Sequence, residues 1–72
     1  MKLVNLKLNE FGNIKEINCS KDIKKRFIDL GFITGTKITP ILTSPSGGIR
    51  AYLIKDTLIA IRNEDAFNII IF

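Results

Sequence analysis

The segment over residues 20–38 constrains this chain most, because a short helix, a stop signal and the start of a strand follow one another without a break. Ile23, Phe27 and Leu30 are spaced four and three residues apart, so they lie along one face of a helix. Gly31 comes next, where a chain leaving a helix adopts a left-handed conformation that glycine adopts at little cost. We therefore expect this face to dock the helix, and Gly31 to orient the strand that follows.

The helix, predicted over residues 20–30, has a recognisable start and a basic outer face. Ser20 is a suitable N-cap, since its hydroxyl can accept a backbone N–H of the first turn. Asp22 and Arg26 are four residues apart and can form an ion pair. The outer face carries three lysines: Lys21, Lys24 and Lys25.

Five short segments rich in β-branched or alternating apolar residues predict strands, over residues 14–17, 37–43, 49–54, 57–61 and 69–72. Ile14 and Ile17 are three residues apart, which breaks strict alternation and predicts a bulge. Pro40 cannot donate a ladder hydrogen bond, so it predicts an edge or a bulge. Leu6 and Leu8 have strand spacing near the N-terminus.

Tight turns connect these segments. Gly35 predicts a second turn after the helix. Lys55 and Asp56 predict a two-residue hairpin turn, in which Asp56 is the left-handed residue. Asn63 is expected to cap a single helical turn.

The strand over residues 49–54 has two possible registers, because Ile49, Ala51 and Leu53 alternate with Tyr52 and Ile54. We favour Tyr52 and Ile54 facing inward. Five short strands, tight hairpins and one early helix predict an all-β fold with a small helix. The natural form is an SH3-like five-stranded barrel with an α-helix inserted in its N-terminal half.

Composition bounds the class of protein. The 72 residues predict a single domain, 1–72. The net charge of +4 would suit an acidic or phosphate-bearing partner, but a solvated surface with no block of like charges explains it better. A single cysteine excludes an intrachain disulfide and fits a reducing compartment. Since no apolar run approaches the ~18 residues of a membrane span and no secretory segment is present, we expect a cytoplasmic protein.

The chain offers no catalytic constellation, because its serines and its cysteine have no histidine to activate them. We expect Cys19 to be a half-buried residue before the helix, although the helix N-terminus could lower its pKa. Glu64 and Asp65 fit helix capping better than a metal site with Asp29. Tyr52 and the five phenylalanines are expected in the core. The prediction is therefore a protein with no catalytic, cofactor or metal site.

Three stretches resemble the FeoA family and together cover nearly the whole chain. Residues 26–38 resemble its signature of arginine, two apolar residues, Asp/Ser-Leu-Gly, Pro-Gly and an apolar strand. Residues 45–48 stand where the family has Pro-Leu-Gly-Asp-Pro, and residues 59–66 resemble its closing strand, arginine and acidic turn. Thr34 replaces the proline before the second glycine, and Ser46 replaces an apolar loop residue.

The resemblance implies a cytoplasmic SH3-like protein that assists ferrous iron uptake by contacting FeoB, a membrane transporter with a GTP-binding domain. Similar domains end metal-dependent repressors, but no DNA-binding domain precedes this one, which favours a free-standing FeoA. The expected structural motif is Phe27, Leu30, Gly31 and Gly35. The expected contact surface is the loop and nearby basic residues: Lys24, Lys25, Ser44, Pro45, Ser46, Gly47, Gly48 and Arg50.

Two alternatives stay open. A nucleic-acid-binding barrel of the KOW sort would also suit the positive charge, and its binding would weaken steeply with salt. A self-associating module would use Ile69 to Phe72 as an apolar edge open to strand pairing.

Overall fold

The computed structural model describes all 72 residues, and its helices and strands follow one another in the predicted order. A single 3-10 turn opens the chain. The elements are the 3-10 turn Leu3–Asn5, β1 Gly12–Ile17, α1 Lys21–Asp29, β2 Lys37–Thr43, β3 Ile49–Ile54, β4 Thr57–Arg62, α2 Asn63–Ala66 and β5 Ile69–Ile71. The strands form one antiparallel sheet in the order β4-β3-β2-β1-β5, which curls around the core.

Both predicted irregularities of the sheet are present. The β1–β5 register shifts between Ile14 and Glu16, so that Ile14 and Ile17 both point into the core. The β2–β3 register shifts between Pro40 and Leu42, and Pro40 is buried beside that bulge. A bulge lets an apolar pair with the wrong spacing share one face, because the extra residue is left out of the pairing.

The favoured register of β3 is confirmed. Tyr52 and Ile54 are fully buried, whereas Ile49 and Leu53 are exposed. The turn to β4 has positive φ at both Lys55 and Asp56, not at Asp56 alone as predicted. Two left-handed residues match the type I′ geometry, whose twist suits a two-residue hairpin.

The helix α1 ends one residue earlier than predicted, and its C-cap residue Leu30 lies outside the core. Leu30 is 50% exposed, whereas Phe27 is buried with its ring centroid 5.0 Å from that of Phe32. Gly31 and Gly35 have φ values of 99° and 91°, as their turns require. Phe27 therefore packs the helix against the core, and Leu30, at the end of the helix, does not.

Three local predictions at α1 and the N-terminus are wrong. Ser20 occupies the N-cap position but its side chain makes no cap hydrogen bond, and Asp22 forms no ion pair with Arg26. The N-terminal segment is a 3-10 turn that buries Leu3 and Leu6, while Leu8 is exposed. Leu3 and Leu6 are three residues apart, which is the period of a 3-10 turn and not that of a strand.

The edge formed by β5 is covered by the N-terminus. The Ile71 N–H donates to the Met1 carbonyl oxygen, the Met1 ammonium donates to the Ile71 carbonyl oxygen, and Lys2 bridges Ile70. The predicted open edge from Ile69 to Phe72 is therefore wrong, because these backbone groups are already paired. Only β4 keeps an outer edge without a neighbouring strand.

Candidate partner-binding site

The loop between β2 and β3 is exposed and held by hydrogen bonds of its own. The Ser44 hydroxyl accepts the Ile49 N–H and lies 3.3 Å from the Ser46 hydroxyl oxygen. At the start of α2, the backbone N–H of Asn63 donates to Gly48 and its side-chain amide donates to Gly47. The side chain of Asn63 thus holds this loop in place. The prediction that Asn63 caps α2 is wrong, because the N-cap residue is Arg62.

Arg50 does not belong to the surface on which it was predicted. Its side chain is buried, and its guanidinium donates to the carbonyl oxygens of Val4 and Leu6 at the end of the 3-10 turn. Because both carbonyls come from a distant part of the sequence, spacing along the chain could not reveal this role. The candidate contact surface therefore loses Arg50.

Lys24 and Lys25 are exposed on α1, as predicted, but no hydrogen bond or ion pair joins them to the loop Ser44 to Gly48. Lys24 lines a shallow cavity of about 180 Å³ between α1 and β1. No polar contact therefore joins the two parts of the predicted contact surface.

A larger apolar groove, of about 330 Å³, lies between α1 and β4. We call it the α1–β4 groove. Six of its lining residues are hydrophobic: Ile23, Phe27, Leu30, Ile59, Ala60 and Ile61. The sequence pattern did not predict this groove. One of its walls is the helix face of Ile23, Phe27 and Leu30, which was expected to be covered by the core.

The charged residues of the α1–β4 groove differ in their pairing. Arg62 forms ion pairs with Glu64 at 3.3 Å and with Asp65 at 3.2 Å. Arg26 has no acidic partner within 4.0 Å. The groove therefore combines apolar walls with one guanidinium that is free to bind an anionic group.

Cys19 is half-buried against the core, as expected, but its pKa shifts opposite to the helix-dipole expectation. Burial raises the pKa of the Cys19 thiol, and the nearby Asp65 carboxylate raises it further. No group of three or more acidic or cysteine side chains lies close enough together to hold a metal ion. No helix of the structure combines the length and the apolar character that a membrane span requires.

The core expectation fails for three of the five phenylalanines. Phe11, Phe67 and Phe72 are more than half exposed, and a lysine lies over each ring. The Lys2 ammonium is the nearest, 3.4 Å from the Phe67 ring centroid. A cation over the ring face makes an exposed aromatic side chain favourable at the surface, which apolar patterning alone does not predict.

The curled five-stranded sheet, with α1 inserted between β1 and β2, is a small SH3-like β-barrel with an inserted helix. The FeoA domain model matches residues 1–71, and the chain therefore belongs to the FeoA family. Among curated proteins, none gives a significant sequence match.

Solved structures of FeoA proteins share this fold. The FeoA protein of Chlorobium tepidum is 24% identical with a TM-score of 0.93, over 99% of this chain and 68% of that one. Iron(II) transport protein A of Clostridium thermocellum is 25% identical with a TM-score of 0.92, over 99% of this chain and 44% of that one. The zinc complex of Stenotrophomonas maltophilia FeoA is 24% identical with a TM-score of 0.85, over 100% of this chain and 89% of that one. That protein is described as a prokaryotic SH3 domain protein and a candidate ferrous iron transport activating factor.

Proposed function

We propose that this protein is a cytoplasmic, non-enzymatic accessory of ferrous iron uptake that acts by contacting a FeoB-type membrane transporter. The observation that carries the proposal is the family match over residues 1–71. Similar structures are described as an iron(II) transport protein, an iron uptake regulatory protein and a candidate transport activating factor. A small barrel with no catalytic constellation can act through binding alone.

The exposed features available for such a contact are the loop Ser44 to Gly48, the lysine face of α1 and the α1–β4 groove. The two surface lysines, Lys24 and Lys25, and the net charge of +4 suit an acidic partner surface. Ser46 is exposed in this loop, and its hydroxyl makes hydrogen bonds only within the loop, with the Ser44 hydroxyl and the Gly48 N–H.

The test is capture of partners from a native membrane fraction with tagged protein. Wild-type protein should recover a large GTP-binding membrane protein, and a Lys24→Glu/Lys25→Glu variant or a Ser46→Glu variant should recover less. A Lys7→Glu/Lys37→Glu variant carries the same charge change at exposed lysines elsewhere and should behave as wild type. Recovery of no membrane transporter by wild-type protein would contradict the proposal.

One observation favours a second candidate, nucleic-acid binding: three exposed phenylalanines each have a lysine nearby. Stacking platforms for bases also interleave aromatic and basic residues. However, the Lys2 ammonium already covers one face of the Phe67 ring, where a base would stack. Recovery of RNA that is released between low and moderate salt would favour this candidate, because phosphate contacts weaken steeply with salt.

A further inference from the structure

The outer edge of β4 carries backbone groups that nothing else in the fold pairs. Ile54 and Thr57 flank the two-residue turn and therefore form the first hydrogen-bonded pair of the β3–β4 ladder. Alternation along the strand then directs the N–H and C=O groups of Leu58 and Ala60, and the N–H of Arg62, away from β3. The C=O of Arg62, the N-cap of α2, accepts the first hydrogen bond of that helix. The Asn63 N–H, which is in phase with the inward set, donates to Gly48 as this alternation requires.

The α1–β4 groove lies along this edge. Gly31, after the end of α1, is close to the Lys55 side chain at the turn that begins β4, and Asp65, after the end of β4, is close to Cys19 before α1. The helix and the strand therefore run in opposite directions along the groove. Ile23, Phe27 and Leu30 form one wall, and Ile59 and Ala60 form the other.

We propose that the outer edge of β4 binds an extended acidic segment of another protein, which adds to the sheet as a sixth strand. Strand addition joins main-chain hydrogen bonds at an open edge to side-chain contacts at alternate positions. One set of apolar side chains would enter the α1–β4 groove. The other set would pack on the outer face, where Leu58 is 53% exposed beside Leu53. The inference rests on the proposed function only in taking that segment to belong to the transporter.

Charge identifies the occupant. Arg26 lines the groove without an acidic partner, and Lys55 lies at the end where β4 begins. An extended segment with acidic residues among alternating apolar ones would place carboxylates near these cations. A second copy of this chain carries the same net charge of +4, and this like charge opposes pairing between two β4 edges.

The first arm of the test uses a synthetic probe, the blocked peptide acetyl-Glu-Val-Val-Thr-Glu-Val-Val-amide, in which one face of the strand alternates glutamate with valine to suit the groove. It is titrated into isotope-labelled protein and followed by NMR. The amides of Leu58, Ala60 and Arg62 should shift and exchange more slowly with solvent. A peptide methylated at alternate backbone nitrogens should bind about tenfold more weakly or worse, because it cannot donate to the β4 edge. A peptide with lysine at every acidic position should not bind.

Protein variants test the two components separately. Arg26→Glu should weaken the acidic peptide about fivefold or more, whereas Lys7→Glu, the same charge change at an exposed residue outside the groove lining, should change it less than about twofold. Ala60→Pro removes one outward N–H and should abolish binding. Since this variant could also perturb folding, the methylated peptide provides the test of backbone pairing on the unaltered protein.

The second arm replaces the peptide with the purified cytoplasmic region of a FeoB-type transporter. Shifts at the same β4 amides would support the inference, and binding of the transporter region at other surfaces only would overturn it. Peptide that leaves the β4 amides unshifted, or a methylated peptide that binds equally well, would also overturn it. If the acidic peptide binds at β4 but the transporter region does not bind anywhere, the inference stands and the proposed function fails.

Discussion

The Arg50 guanidinium donates a 3.0 Å hydrogen bond to the carbonyl oxygen of Leu6, 44 residues earlier in the chain. A second hydrogen bond reaches the Val4 carbonyl oxygen at 3.3 Å. These two contacts join β3 to the end of the N-terminal 3-10 turn, which has no other side chain to satisfy its last carbonyls. A charged residue is therefore used here to hold the N-terminal segment against the barrel.

Replacing the buried Arg50 should lower the stability of the fold and leave the exposed surface unchanged. Arg50→Ala leaves two carbonyl oxygens without their donor, so we expect the free energy of unfolding to fall by about 1.5–3 kcal/mol. Arg62→Ala is the matched control, since Arg62 makes ion pairs while exposed, and it should cost less than about 1 kcal/mol. Urea denaturation measures both values, and equal losses in the two variants would contradict this role of Arg50.

The Tyr52 hydroxyl is buried without a hydrogen-bond partner. Tyr52→Phe removes this unsatisfied group and keeps the ring, so the variant should be as stable as wild type or more stable by about 1 kcal/mol. Tyr52→Ala should lose about 3–5 kcal/mol, because it leaves a cavity in the core. A Tyr52→Phe variant that is destabilised by more than about 1 kcal/mol would show that the hydroxyl has a favourable role.

The same residue predicts a loss of stability at high pH. Burial raises the pKa of the Tyr52 phenol, and the nearby Arg50 charge offsets part of this increase. The folded state therefore keeps the proton that the unfolded state loses, so stability falls as pH rises above about 10. Denaturation midpoints measured on either side of that pH should decrease in wild type more than in Tyr52→Phe. If the stability of wild type and of Tyr52→Phe fell equally with pH, the Tyr52 phenol could not be the cause of the loss.

Gly31 and Gly48 form a test pair for backbone strain. Gly31 has a φ of 99° and a methyl group there would lie 3.3 Å from the Lys55 Cδ atom, so Gly31→Ala should cost about 1–2 kcal/mol. Gly48 has no positive φ and its nearest neighbour to a methyl group is 3.6 Å away, so Gly48→Ala should be neutral or slightly stabilising. Thermal unfolding of both variants checks the difference, and a cost that is the same at both sites would refute the assignment of strain to Gly31.

Cys19 should react slowly with alkylating agents. Its raised pKa leaves less thiolate at a given pH than an ordinary cysteine has, and the thiolate is the nucleophile. Asp65→Asn removes one cause of the increase and should speed alkylation by iodoacetamide near pH 8. Glu64→Gln neutralises the neighbouring carboxylate, which also pairs with Arg62, and serves as the control. Faster alkylation in the control than in Asp65→Asn would rule out Asp65 as the cause.

The sequence predicts the parts of the fold that depend on local chemistry. The glycine after α1, the two-residue hairpin and the bulge forced by Ile14 and Ile17 follow from backbone preferences and spacing. Spacing allows two registers for β3, and the structure has the favoured one. Tyr52 and Ile54 face the core, whereas Ile49 and Leu53 are exposed.

The parts that were missed depend on contacts between distant segments. Leu30 keeps the spacing of the buried face, but no other element packs over it and it lines the α1–β4 groove. Arg50 resembles a surface residue until the carbonyls of the 3-10 turn meet it in space. Which strand keeps an open edge depends on how the N-terminus returns to β5, and no local pattern encodes that return.

The central claim, a role in ferrous iron uptake through protein contact, is tested most directly by measuring transport. Initial uptake of radiolabelled Fe(II) under reducing conditions would be compared in cells with the protein, cells lacking it, and cells supplied with an Arg26→Glu or a Lys7→Glu variant. We predict that loss of the protein changes the uptake rate, that wild-type protein and Lys7→Glu restore it, and that Arg26→Glu does not. Uptake that is identical with and without the protein would contradict the account.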